Sequence, residues 1–150
     1  MIQLLKRILA PRLFFYLRDI FRVNFDEIAT INKFLDFKKG IMFDVGSLDG
    51  SSFMPFLLKD WEVYAFEPDN KNHFLISNYL KKWGLSANLY KHAVSDTEEE
   101  QVFYKSNSSR GIPSLLKFDK NQIFSHKLNT ITLKNFIKSQ EIKKIDFLKI

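Results

Sequence analysis

Asp44, Gly46 and Gly50 stand in the segment Asp44-Val45-Gly46-Ser47-Leu48-Asp49-Gly50, a D-x-G-x-x-x-G turn. A strand that must bend sharply into a helix while a ligand approaches its backbone needs glycine at such points. The helix start that follows offers N–H groups and a positive dipole end to a polar or anionic group. The spacing is not the G-x-G-x-x-G of dinucleotide sites, which disfavours an NAD-dependent enzyme, and no lysine stands where a P-loop needs one. Taken alone, the turn is equally a plain strand-to-helix junction with no ligand. Glu67 changes that balance. It closes the next apolar run, Glu62-Val-Tyr-Ala-Phe-Glu67, and parallel pairing of the two strands puts its carboxylate beside the glycine turn. There it can accept hydrogen bonds from both hydroxyls of a ribose; the bland alternative is a solvated glutamate at a strand end. Pro68, directly after it, offers a flat apolar surface to one face of an adenine.

Other chemistries are excluded by what is missing. The 150 residues contain no cysteine, which removes disulfides, thiolate zinc sites and cysteine nucleophiles. The three histidines, His73, His92 and His126, are too scattered for a His-rich metal site. His92 reads as a packed strand residue rather than a general base. Asp96, opening the acidic run Glu98-Glu99-Glu100, reads as a solvated turn as readily as a ligand contact.

The elements that must position these residues alternate from residue 40 onward. Gly40 to Val45 reads as a buried strand, Ser51 to Lys59 as a short helix with Pro55 in its first turn, and Glu62 to Glu67 as a second strand. Asp69 is a good N-cap for a helix to about Trp83, with Gly84 in the left-handed position after it. Ala87 to Val94 reads as a third strand and Gln101 to Tyr104 as part of a hairpin. Residues 106–113 form a polar loop. Leu128 to Ile131 is a short strand, Thr132 caps a helix to about Gln140, and Ile145 to Ile150 is a final apolar strand. That strand ends with the sequence, which leads to the expectation of a fragment with an exposed apolar edge and of dimerisation through it.

The net charge of +6 is uneven. Residues 1–22 carry five basic and one acidic side chain, residues 23–100 eight and thirteen, and residues 101–150 ten and three. The motif-bearing middle is therefore acidic. Lysine, asparagine, isoleucine and phenylalanine are abundant and arginine is scarce, the pattern of an AT-rich coding sequence, so no nucleic-acid partner is expected. Residues 1–37 read as an amphipathic helical segment, broken near Pro11, that covers a core or contacts a membrane peripherally. Its uncharged runs fall far short of the ~20 apolar residues of a membrane span, and it lacks the apolar stretch and cleavage site of a signal peptide. The expected location is the cytoplasm.

The segments DVGSLDG, AFEPDNKNHFLISNYL, HAVSDTEEEQVFY, NTITLKNFI and IDFLKI resemble, in order and spacing, those of FkbM-type methyltransferases. The resemblance covers about residues 40 to 150. It implies a Rossmann-like α/β fold, its parallel sheet flanked by helices, represented over residues 38–150 by the amino-terminal half with a β-hairpin insertion. It implies S-adenosylmethionine as cofactor and a hydroxyl of a sugar, glycan or natural product as methyl acceptor. Asp44, Gly46, Ser47 and Gly50 would line the methionine end of the cofactor, Glu67 would hold the ribose and Pro68 would flank the adenine. Ala93 to Asp96, with Val94, would approach the adenine rim. Two departures stand out: Lys134 follows Thr132-Leu133 where the family carries an acid, and the acidic loop that continues IDFLKI in the family is not in this sequence. Two other readings remain beside the enzyme: a non-catalytic remnant that at most binds cofactor, and a basic binding module using the charged flanks.

Overall fold

In this computed structural model the described residues are 39–106 and 113–150, with isolated positions 10, 11, 13, 17 and 31. The expected amphipathic segment 1–37, those positions apart, and residues 107–112 of the polar loop lie outside them.

Strand β1 (Ile41–Val45) is followed by helix α1 (Met54–Leu57), strand β2 (Glu62–Phe66), helix α2 (Asn70–Trp83) and strand β3 (Asn88–Tyr90). Next come β4 (Ala93–Val94), β5 (Glu100–Ser106), β6 (Gln122–Ile131), α3 (Leu133–Ser139) and β7 (Phe147–Lys149). Four strands form a parallel sheet in the order β3-β2-β1-β7. The remaining three form a smaller sheet in the order β4-β6-β5.

The period-two alternation of the strands builds a core on each face of the parallel sheet. Met42, Val63 and Ala65 face α1 and α2, where they join Phe53, Phe56, Trp61, Ile76 and Tyr79 in one buried cluster. Their neighbours Phe43, Tyr64 and Phe66 face the other way, against Tyr90, Val94, Ile131 and Phe136 of α3. The Phe136 ring meets Phe43, Phe66 and Tyr90 edge-on at centroid distances of 6.0, 5.0 and 4.8 Å, the geometry that aromatic quadrupoles favour. A sheet apolar on both faces needs helices on both, and the chain supplies them.

Caps place the helices where the sequence expects. The Asp69 carboxylate accepts from the N–H groups of Lys71 and Asn72 at 2.8 and 3.0 Å, and Gly84 closes α2 at φ 62°. The Thr132 hydroxyl accepts from Asn135 N–H at 3.2 Å to start α3.

Four elements differ from expectation, among them the last strand, which contracts from Ile145–Ile150 to Phe147–Lys149. The helix over Ser51 to Lys59 contracts to Met54–Leu57: turns flank it on both sides, Phe53 supplies no side-chain cap at its start, and the backbone turns left-handed at Asp60 beyond its end. The single third strand, Ala87 to Val94, is two strands that change partner: β3 pairs with β2, whereas β4 pairs with β6. Leu128–Ile131 is only the end of the ten-residue β6, whose earlier part pairs antiparallel with β5. In these last two cases the pairing partner sets the boundary, and that partner is distant in sequence.

Candidate active site

The glycine turn and Glu67 meet on one rim. The Gly46 and Ser47 N–H groups donate to the Phe66 carbonyl at 2.9 and 3.1 Å, which fastens the turn to the carboxyl end of β2. One residue later, the Glu67 carboxylate, 4% exposed, accepts from Leu48 N–H through Oε2 at 2.7 Å and from Asp69 N–H through Oε1 at 2.8 Å. Glu67 therefore bridges the turn and the start of α2. Burial pushes its carboxyl above the ordinary glutamate value, against the pull of the Asp69 and Leu48 N–H groups.

Gly46 and Gly50 both take left-handed backbone, at φ 71° and 75°. A Cβ at Gly50 would press on Met54 and Phe53, whereas a Cβ at Gly46 would project into open space. The turn's own N–H groups are not free. Besides those of Gly46, Ser47 and Leu48, Gly50 N–H donates to Ser47 and Ser51 N–H to Asp49. The loop uses these five to hold its own shape. What it offers a ligand is a concave surface and side chains.

Beneath the turn lies an ion pair that the sequence reading missed. Asp44, fully buried, accepts from the Ser52 hydroxyl and pairs with Lys149 Nζ at 2.9 Å. The same ammonium donates to the carbonyls of Val45 and Gly46 at 3.1 and 2.8 Å. The ammonium thus makes two hydrogen bonds to these carbonyls and meets Asp44 Oδ1, which has no hydrogen-bond donor of its own among the described residues, as an ion pair. Burial pushes the Asp44 carboxyl up, opposed chiefly by Lys149 and then by Ser52. The available signal was Lys149 itself, a lone cation in an apolar strand; the partner was invisible until β7 was seen to pair with β1.

These residues open on a cleft of about 510 Å³, within the range of small-molecule sites. Gly46, Ser47, Glu67, Pro68 and Lys149 line it, with Asn72 of α2, Phe103 of β5 and Pro113 completing the wall. Asp44 reaches the cleft only through Lys149 and Ser52, and Gly50 shapes the turn behind it. Val94 is not among the lining residues. It packs into the cluster of Phe43, Tyr64 and Phe66, because β4 leaves the parallel sheet to pair with β6. Asp96 is exposed and accepts from the Ser95 hydroxyl, as a solvated turn would.

A family model described as the methyltransferase FkbM domain matches residues 44–150. The chain belongs to the FkbM methyltransferase family. Among curated proteins none matches it. Membership accounts for the architecture: the parallel sheet with helices on both faces is the Rossmann-like fold of a methyltransferase, and the cleft sits at the carboxyl ends of β1 and β2, where such sheets bind ligands. Among the described residues no group of three or more potential metal ligands occurs, and no helix is long and apolar enough to cross a membrane.

The hairpin wall of this FkbM domain is tied down by a second ion pair, between Lys105 of β5 and Asp69 at the head of α2. Burial pushes the Asp69 carboxyl up, but Lys105 and the N–H groups of Asn72 and Lys71 outweigh it and hold the carboxyl below its ordinary 3.8. A lowered folded-state value means the stabilisation is fully present above pH 3.8 and is lost as the pH falls through the lower, folded-state value. The expected result is that Asp69→Asn unfolds at lower urea than the parent at neutral pH, and that the difference narrows as the pH drops below about 4. Urea midpoints measured at a series of acid pH values check this; a difference independent of pH would detach the effect from the carboxylate's charge.

Proposed function

We propose that the chain is an S-adenosylmethionine-dependent O-methyltransferase, acting in the cytoplasm on a hydroxyl of a sugar, glycan or natural product. The observation that carries the cofactor assignment is the single rim formed by the Gly46–Gly50 turn, the Glu67 carboxylate and Pro68. The residues present fit that cofactor. Each Glu67 oxygen accepts one backbone N–H and keeps further acceptor capacity, as a ribose diol requires. Pro68 supplies an apolar face to the adenine, and the open space above Gly46 leaves room for the methionine end along Ser47. Internal use of the turn's N–H groups suits a cofactor with no phosphate. When bound, S-adenosylmethionine supplies an electrophilic methyl group on its sulfonium. The work of the chain is to hold the acceptor oxygen in line with it, which is where most of such a rate gain arises.

Isothermal titration of S-adenosylmethionine into the protein tests the reading. Saturable binding is expected, weakened roughly tenfold or more in Gly46→Val, since a branched side chain would occupy the open space and strain a left-handed residue. Absence of binding by the folded parent would overturn the cofactor assignment. Mass spectrometry of products from a panel of hydroxylated acceptors tests the oxygen assignment, and methyl transfer to nitrogen instead would overturn it.

A further inference from the structure

The β5–β6 hairpin carries a feature that lies outside the lining of the cleft. Nine large apolar side chains stand exposed among the described residues, and four of them fall between positions 116 and 124: Leu116, Phe118, Ile123 and Phe124, at 75, 65, 49 and 61%. They are not on a loose loop. Gln122, 1% exposed, accepts from the N–H groups of Phe118 and Asp119 at 2.9 and 3.2 Å and returns its own N–H to the Asp119 carbonyl at 3.0 Å. Ile123 and Phe124 are paired in the ladder with Lys105 and Tyr104. An ordered turn and the first residues of β6 therefore hold four apolar side chains in water, which is costly unless something covers them.

The charges beside them indicate what does. Lys117 and Lys120 alternate with the apolar residues, are exposed, and form no ion pair among the described residues. The one acid of the turn, Asp119, is half-buried, with its carboxylate accepting from Asn121 N–H at 2.8 Å. Lysine is depleted at the centre of protein–protein interfaces. Beside aromatic and aliphatic side chains at a bilayer surface it is favoured, because the stem lies along the acyl boundary while the ammonium meets anionic headgroups.

We propose that the hairpin tip, Leu116 to Phe124, is an interfacial anchor that docks this protein on an anionic lipid bilayer. Leu116, Phe118, Ile123 and Phe124 enter the headgroup boundary, and Lys117 and Lys120 pair with lipid phosphates. The same ribbon supplies Phe103 and Pro113 to the wall of the cleft, so docking brings that wall towards the membrane.

The test is co-sedimentation of the full chain with vesicles of phosphatidylcholine alone, and of phosphatidylcholine with roughly one-third phosphatidylglycerol. The parent is expected to bind the mixed vesicles and to bind neutral ones much less. Lys117→Glu/Lys120→Glu is expected to weaken binding roughly tenfold or more, and Phe118→Ser/Phe124→Ser to weaken it comparably. Both are expected to keep the parent's melting temperature, since the altered side chains are exposed. No binding by the parent overturns the proposal, as does equal binding by parent and both variants, which would place lipid contact elsewhere in the chain. Sedimentation velocity supplies the remaining outcome: a parent dimer that becomes monomeric in Phe118→Ser/Phe124→Ser makes the tip a contact between copies instead.

Discussion

Replacing Lys149 with methionine is expected to lower the unfolding free energy by about 3–5 kcal/mol, the scale of removing one partner from a buried ion pair. The stem is retained, so little packing is lost. What remains is the Asp44 carboxylate, wholly buried, without its cation, and the carbonyls of Val45 and Gly46 without their donor. Urea unfolding followed by circular dichroism measures the loss. Two further measurements separate charge from shape. Asp44→Asn in the Lys149→Met background should recover part of the stability, because the stranded charge is gone. The defect should also shrink at acid pH. Asp44's folded-state value is raised, so its charged form is the disfavoured one, and protonation relieves the variant more than the parent. A defect below about 1 kcal/mol would mean that water already solvates Asp44 in place of Lys149.

Glu67→Gln is expected to weaken S-adenosylmethionine binding by about 1–3 kcal/mol, the scale of hydrogen bonds to a charged group; that is roughly five- to 150-fold in affinity. The substitution has a structural cost as well. Both Glu67 oxygens accept backbone N–H groups, and an amide can accept through only one of its two ends. Either Leu48 or Asp69 N–H therefore faces an NH₂ group, and the turn or the start of α2 loosens. Calorimetry against S-adenosylmethionine reads the first effect and urea unfolding the second. Unchanged affinity in a destabilised variant would leave Glu67 as a clamp on the fold and remove it from ligand contact.

Much of the frame was legible in the residues because it depends on local rules. The alternation of β1 and β2, the Asp69 and Thr132 caps, and the left-handed glycines at 46, 50 and 84 all follow from preferences acting within a few positions. The pairing of Gly46 with Glu67 was legible for a related reason. Two successive parallel strands joined by one crossover are usually neighbours, so the ends of both runs fall on the same edge.

The tertiary structure decided whatever depended on a partner far along the chain. Val94 was expected near the adenine, yet it faces Phe43, Tyr64 and Phe66 because β4 pairs with β6, and nothing within Ala87–Val94 announces a change of sheet. Lys149 lies 105 positions from Asp44, and its role exists only because β7 returns to the side of β1 opposite β2. The glycine turn is a local motif, but Phe66 and Glu67 of the next strand accept the first three of its N–H groups. Spacing can state which side chains lie on one edge of a sheet. Which donor satisfies which buried acceptor is settled by competition among every group the fold brings within about 3 Å.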